Sequence, residues 1–63
     1  MLNVEDYITI DVEILGGQPV FKGTRVPVET LFDHLQKGVS IEEFLEDFPT
    51  VTKEQVIAVL RSR

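Results

Sequence analysis

The sequence predicts a mostly α-helical domain with a small β unit at its N-terminal end. Apolar and polar residues alternate from residue 8 to residue 14, which is the period of a strand with one buried face. From residue 28 onward the apolar residues recur at helical spacing in three separate stretches. A chain of 63 residues has room for only one domain. We therefore expect a single domain over 1–63, with a strand-and-turn unit at 1–27 and a three-helix helix-turn-helix unit at 28–63.

The strand-and-turn unit contains an alternating segment and two shorter β-rich pieces. The predicted buried face of the alternating segment consists of Ile8, Ile10, Val12 and Ile14. After a glycine pair, shorter pieces follow at Val20–Phe21 and at Arg25–Val26. Pro19 and Pro27 lack an N–H donor, so these pieces must be short or lie at a sheet edge.

The first helix is predicted from an apolar stripe and a glycine stop. The stripe consists of Val28, Leu31, Phe32 and Leu35. Gly38 can adopt the left-handed conformation that ends a helix. His34, the single histidine, falls on the polar side of this helix, and we expect it to be exposed.

The second and third helices carry start signals in the sequence. Ser40 with Glu43, and Thr52 with Gln55, have the spacing of capping boxes, and Pro49 ends the second helix. The predicted buried residues are Ile41, Phe44, Leu45 and Phe48 in the second helix and Val56, Val59 and Leu60 in the third. The four residues between the two helices give them the spacing of a helix-turn-helix.

The composition narrows the class of protein. Eleven acidic residues against six basic ones give a net charge of −5, which opposes binding of nucleic acid by the free chain. The absence of cysteine excludes disulfides, thiolate metal sites and thiol nucleophiles. No apolar run is long enough for a membrane span, and no leader pattern is present, so we expect a cytoplasmic protein.

The sequence contains no catalytic or cofactor motif. There is no Ser-His-Asp order, no metal-ligand spacing and no phosphate-binding glycine loop. We therefore expect a protein that is not an enzyme and that has no metal, cofactor or small-molecule substrate.

Several motifs in order resemble one family. Residues 17–28 read GQPVFKGTRVPV and, with Gly16 before them, look like the GGxPxxxGTRxPV core of the domain-of-unknown-function 433 family. The spacing continues in GVSIEE at 38–43 and in DFP at 47–49, followed by Thr52, so the resemblance covers about residues 7–60. The matching turn residues are Gly17, Pro19, Gly23, Thr24, Arg25 and Pro27.

This resemblance implies a fold and a function. It implies a short strand unit with a homeodomain-like helix-turn-helix. It also implies an antitoxin that binds and neutralises a toxin related to PIN-domain ribonucleases and helps to repress its own operon. A stand-alone helix-turn-helix transcriptional regulator is the alternative.

Arg25 has two interpretations. Its guanidinium suits a phosphate or carboxylate of a partner. Alternatively, it anchors the turn internally by pairing with Asp47 or Glu46, and in so small a domain this structural role is favoured.

The second helix carries a predicted acidic face, defined by Glu42, Glu43, Glu46 and Asp47. This face is either a solvated surface or the surface that covers the cationic groove of a ribonuclease. The candidate DNA contacts on the third helix are Lys53, Gln55 and Arg61. In a duplex complex the acidic helix would cross the phosphates, so operator binding would need a dimer or a toxin complex.

We also expect a homodimer. An open edge of the β unit can pair with another chain. Ile57 and Ala58, beside the stripe of the third helix, would add apolar surface to the contact.

Overall fold

The computed structural model describes residues 4–62, so the ends of the predicted domain lie outside the described residues. After a short 3-10 turn, strands β1 and β2 pair antiparallel, with Ile8 opposite Phe21 and Thr9 opposite Val20. Three helices follow. The element bounds are β1 Ile8–Thr9, β2 Val20–Phe21, α1 Val28–Gln36, α2 Ile41–Asp47 and α3 Lys53–Arg61. The predicted fold class, a small N-terminal β unit followed by three helices, is confirmed.

The hydrophobic core joins the β unit to all three helices. Its central cluster consists of Phe21, Leu31, Phe44, Val51, Val56 and Val59. The rings of Phe21 and Phe44 lie 6.3 Å apart, so the hairpin packs directly on α2. Burial of a large apolar side chain stabilises a fold by about 1.5–3 kcal/mol. The hairpin is therefore an integral part of the core.

The helix boundaries follow the local signals in the sequence. Gly38 has a φ of +83°, and the N–H groups of Gly38 and Val39 donate to the oxygens of Leu35 and His34 at 3.1 and 3.0 Å. These two bonds form a Schellman motif, which satisfies carbonyl groups at the end of α1. The predicted glycine stop is confirmed.

The predicted N-terminal caps are also present. The Ser40 hydroxyl accepts from the Glu43 N–H at 3.1 Å, which is one of the two bonds of a capping box. At α3 both bonds form, because Thr52 Oγ1 accepts from Gln55 N–H and Gln55 Oε1 accepts from Thr52 N–H.

The predicted strand over residues 8–14 is wrong beyond Thr9. The Asp11 side-chain oxygen Oδ1 accepts from the Glu13 N–H at 2.9 Å. The Asp11 main-chain oxygen accepts from the Ile14 N–H at 2.8 Å. The chain therefore turns at Asp11, and Ile10 and Val12 are 66% and 78% exposed instead of buried. An aspartate side chain that bonds the nearby backbone competes with a strand that has no partner beside it.

The predicted β piece at Arg25–Val26 is not a strand. An isolated bridge joins Val20 to Pro27, and the Phe21 N–H donates to the Val26 oxygen at 3.0 Å. The segment around Val26 and Pro27 therefore covers the edge of β2 that faces away from β1. Because Pro27 lacks an N–H donor, this segment does not continue as a regular strand.

Two further predictions are corrected by the packing. His34 is half-buried, and its ring packs edge-on against Phe44 and Phe48, with centroids 5.5 and 5.4 Å away. Ala58 is 1% exposed and contributes no surface to a dimer, whereas Ile57 is 38% exposed. The homodimer stays a prediction.

Candidate functional site

The turn between β2 and α1 is held by Thr24. Its hydroxyl donates to the Phe21 oxygen at 2.8 Å and accepts from the Val26 N–H at 3.0 Å. Gly23 precedes it with a φ of +79°, a conformation that residues with a side chain rarely adopt. In the glycine-threonine-arginine motif, the first two residues therefore shape the turn.

Arg25, by contrast, is exposed, and within residues 4–62 it makes no hydrogen bond or ion pair. The predicted anchoring of this turn to Asp47 or Glu46 is absent, and Thr24 holds the turn instead. Arg25 borders an open groove of about 480 Å³ whose other lining residues are Thr9, Ile14, Gly23, Thr24 and Thr50. Since no described residue pairs with the guanidinium group, it can contact a partner.

The acidic face lies on α2 as the spacing predicts. Glu42 and Glu46 form one row and Glu43 and Asp47 a second, each with a four-residue separation, and all four side chains are exposed. Phe44, on the opposite side, is fully buried. Across the described chain, none of these four carboxylates forms an ion pair with a lysine or arginine. The acidic face is an uncompensated charge cluster on a helix about 10 Å long.

Gln55 does not belong to the surface of α3. It is 8% exposed, and its side-chain nitrogen donates to the oxygens of Lys22, at 2.9 Å, and Tyr7, at 3.5 Å. It is therefore unavailable for contacts with DNA bases, which corrects that assignment. Its capping-box position gave the only sequence signal for this internal role. Lys53 and Arg61 remain exposed at opposite ends of the helix, about 12 Å apart.

The described residues contain no cluster of three or more His, Cys, Asp or Glu side chains able to hold a metal ion. None of the helices in the part of the chain that the structure describes has the length and apolar character required to cross a bilayer. The features of the described surface that could bind a partner are therefore its charged side chains and its exposed apolar side chains.

Comparison with known proteins tests the motif resemblance. The family model "Protein of unknown function (DUF433)" matches residues 8–61. The chain belongs to the DUF433 family. The turn motif and the acidic face of this DUF433 chain both fall inside the matched range.

A curated relative extends the comparison. The DUF433 chain is similar to "Uncharacterized protein y4eO" of Sinorhizobium fredii (strain NBRC 101917 / NGR234), with 39% identity over 51 residues. The aligned segment covers 81% of this chain but only 23% of that relative, so the DUF433 chain spans about a quarter of its length. No solved structure matches the chain.

Proposed function

We propose that this DUF433 protein is an antitoxin-like module that binds and neutralises a PIN-like ribonuclease toxin through the acidic face of α2. The observation that carries the proposal is the set of four exposed carboxylates on one short helix without ion-pair partners among the described residues. The motif resemblance to an antitoxin family supports the choice of partner.

Part of the acidic face is electrostatically unfavourable in the free protein, although the positive end of the helix dipole favours Glu42 and Glu43 in the first turn of α2. Like charges four residues apart on a helix repel each other. Glu46 and Asp47 also lie in the last turn of α2, where the negative end of the helix dipole disfavours carboxylates. A cationic surface placed against the face would relieve both effects, so the arrangement favours a basic partner.

A ribonuclease is a basic partner of the required kind. An enzyme that binds RNA needs a positively charged groove for the phosphates, and a row of carboxylates complements that groove. Complementary charge speeds the encounter and directs the face toward the groove. Binding there would exclude RNA, which accounts for neutralisation without any catalytic residue in this chain.

Repression of its own operon is the second part of the proposal and requires the toxin complex or a dimer. With Gln55 internal, α3 offers Lys53 and Arg61, and Glu54 also lies at its exposed start. The acidic face would meet the phosphates in a helix-turn-helix complex. A stand-alone transcriptional regulator, the alternative, would have to bind operator DNA tightly against this charge.

The test compares two variants with equal net charge. E46Q/D47N removes two carboxylates from the acidic face, and D33N/E54Q removes two exposed carboxylates on α1 and α3. The probe is the product of the gene next to the one for this protein, which we expect to be a PIN-like ribonuclease, and binding and inhibition are measured at two salt concentrations. We expect the Kd to rise about tenfold or more for E46Q/D47N and about twofold for D33N/E54Q.

Equal effects of the two variants would show that only net charge matters and would contradict the acidic-face proposal. Nanomolar binding of operator DNA by the free protein, with a steep salt dependence, would favour the stand-alone regulator instead.

A further inference from the structure

We propose a second docking surface, the apolar loop, defined as residues 10–15. It inserts its aliphatic side chains into an apolar groove bordered by lysine or arginine on the ribonuclease partner. This inference rests on the proposed function and adds to the acidic face a contact of different chemistry.

The apolar loop concentrates the exposed aliphatic residues of the described chain. Ile10, Val12 and Leu15 are 66%, 78% and 49% exposed, and within residues 4–62 the other exposed large hydrophobic residue is Ile57 on α3. A single exposed aliphatic residue is ordinary on a protein surface. Three within six residues concentrate exposed apolar surface in one loop, and concentrated apolar surface is typical of interaction sites.

The backbone holds the loop in a defined and strained shape. Leu15 has a φ of +51° and is the one non-glycine residue with a positive φ in the described chain. That conformation brings its Cβ close to the following carbonyl. Hydrogen bonds from Ile14 to Asp11 and from Gly17 to Ile14, at 2.8 and 3.1 Å, brace the turns on either side. A braced loop loses little conformational freedom when it docks, which favours binding.

The charged residues within the apolar loop indicate which kind of partner it binds. Asp11 and Glu13 alternate with the aliphatic residues, and both are exposed. A second copy docked on this loop would bring its own Asp11 and Glu13 close to these two carboxylates, and like charges close together are destabilising. An anionic bilayer would be repelled in the same way. A groove with a cationic border satisfies both the aliphatic and the acidic side chains.

The experiment measures binding of the full chain to the same ribonuclease by calorimetry. V12T replaces an exposed methyl group with a hydroxyl of nearly equal size. The control I57T replaces an ethyl group with a hydroxyl on α3 and so removes more apolar surface than V12T does. Val12 is 78% exposed and Ile57 38% exposed, so we expect V12T to keep the wild-type melting temperature and I57T to stay folded with a lower one, as measured by circular dichroism. We expect the Kd to rise about tenfold for V12T and to stay within about twofold for I57T.

The outcomes separate the two proposals. If the wild type binds, E46Q/D47N weakens binding and V12T does not, the apolar loop proposal is overturned and the proposed function stands. If the wild type does not bind, both are overturned. Sedimentation gives a third outcome: a wild-type dimer that V12T dissociates would make a second copy the occupant, which also overturns the inference.

Discussion

The side chain of Gln55 on α3 donates a hydrogen bond to the main-chain oxygen of Lys22 at 2.9 Å, across 33 residues of sequence. Its other amide atom, Oε1, accepts from the Thr52 N–H at 2.9 Å. One side chain therefore caps α3 and ties it to the end of the β unit. A buried amide that is satisfied at both ends is costly to replace, because its partners would lose their bonds inside the protein.

Gln55→Glu tests this connection. The new carboxylate still accepts from Thr52, but it places a negative oxygen against the Lys22 oxygen. We expect the free energy of unfolding at pH 7 to fall by about 2–3 kcal/mol relative to wild type.

The loss should depend on pH. Burial beside carbonyl oxygens raises the pKa of the introduced carboxyl above its unfolded value, and the protonated form regains a donor. The stability difference from wild type should therefore shrink as pH falls through the folded pKa. Urea denaturation of both proteins at several pH values measures this stability difference. A pH-independent difference, or none, would contradict the assignment.

Thr24 and Arg25 are neighbours in sequence with opposite expected roles. Thr24→Val removes both side-chain bonds of the turn, so we expect it to cost about 1–2 kcal/mol of stability, whereas Thr24→Ser should retain most of it. Arg25→Gln should change stability by less than about 0.5 kcal/mol, because Arg25 has no partner among the described residues. Chemical denaturation distinguishes them, and a large loss for Arg25→Gln would show that the arginine anchors the turn after all.

The acidic face should lower the free energy of unfolding of the free protein. E46Q/D47N removes repulsion along α2 and two unfavourable interactions with its dipole, so we expect the variant to be about 0.5 kcal/mol more stable than wild type. The gain should be largest at low salt and decline as screening increases. Denaturation at low and high ionic strength measures both effects. A variant less stable than wild type at low salt would argue against an uncompensated face.

His34 is expected to stabilise the junction of α1 and α2. Its Nδ1 lies 2.8 Å from the Thr30 oxygen, and its ring packs against Phe44 and Phe48. Because edge-on aromatic pairs contribute about 0.5–1.5 kcal/mol each, His34→Ala should cost about 1–2 kcal/mol. Gln36→Ala, at an exposed position on the same helix, is the control. Equal melting temperatures for the two variants would contradict the prediction.

The three helices could be predicted because their signals are local. Gly38, Ser40, Pro49 and the Thr52–Gln55 pair act on backbone groups within a few residues, so their effect does not depend on the rest of the fold. The acidic face followed from the same helical spacing. The chain itself thus determined where α1 ends, where α2 begins and ends, where α3 begins, and which side of α2 carries charge.

Only the tertiary structure decided the burial and the contacts of residues whose partners lie on other elements. A strand exists where another strand lies beside it, and β2 offers two residues, so Ile10 and Val12 are left exposed. His34 is half-buried because α2 brings Phe44 and Phe48 against it. Gln55 faces inward because the β unit places two carbonyl oxygens opposite α3. Contacts between separate elements depend on how those elements pack, and the hydrophobic periodicity within one segment does not report it.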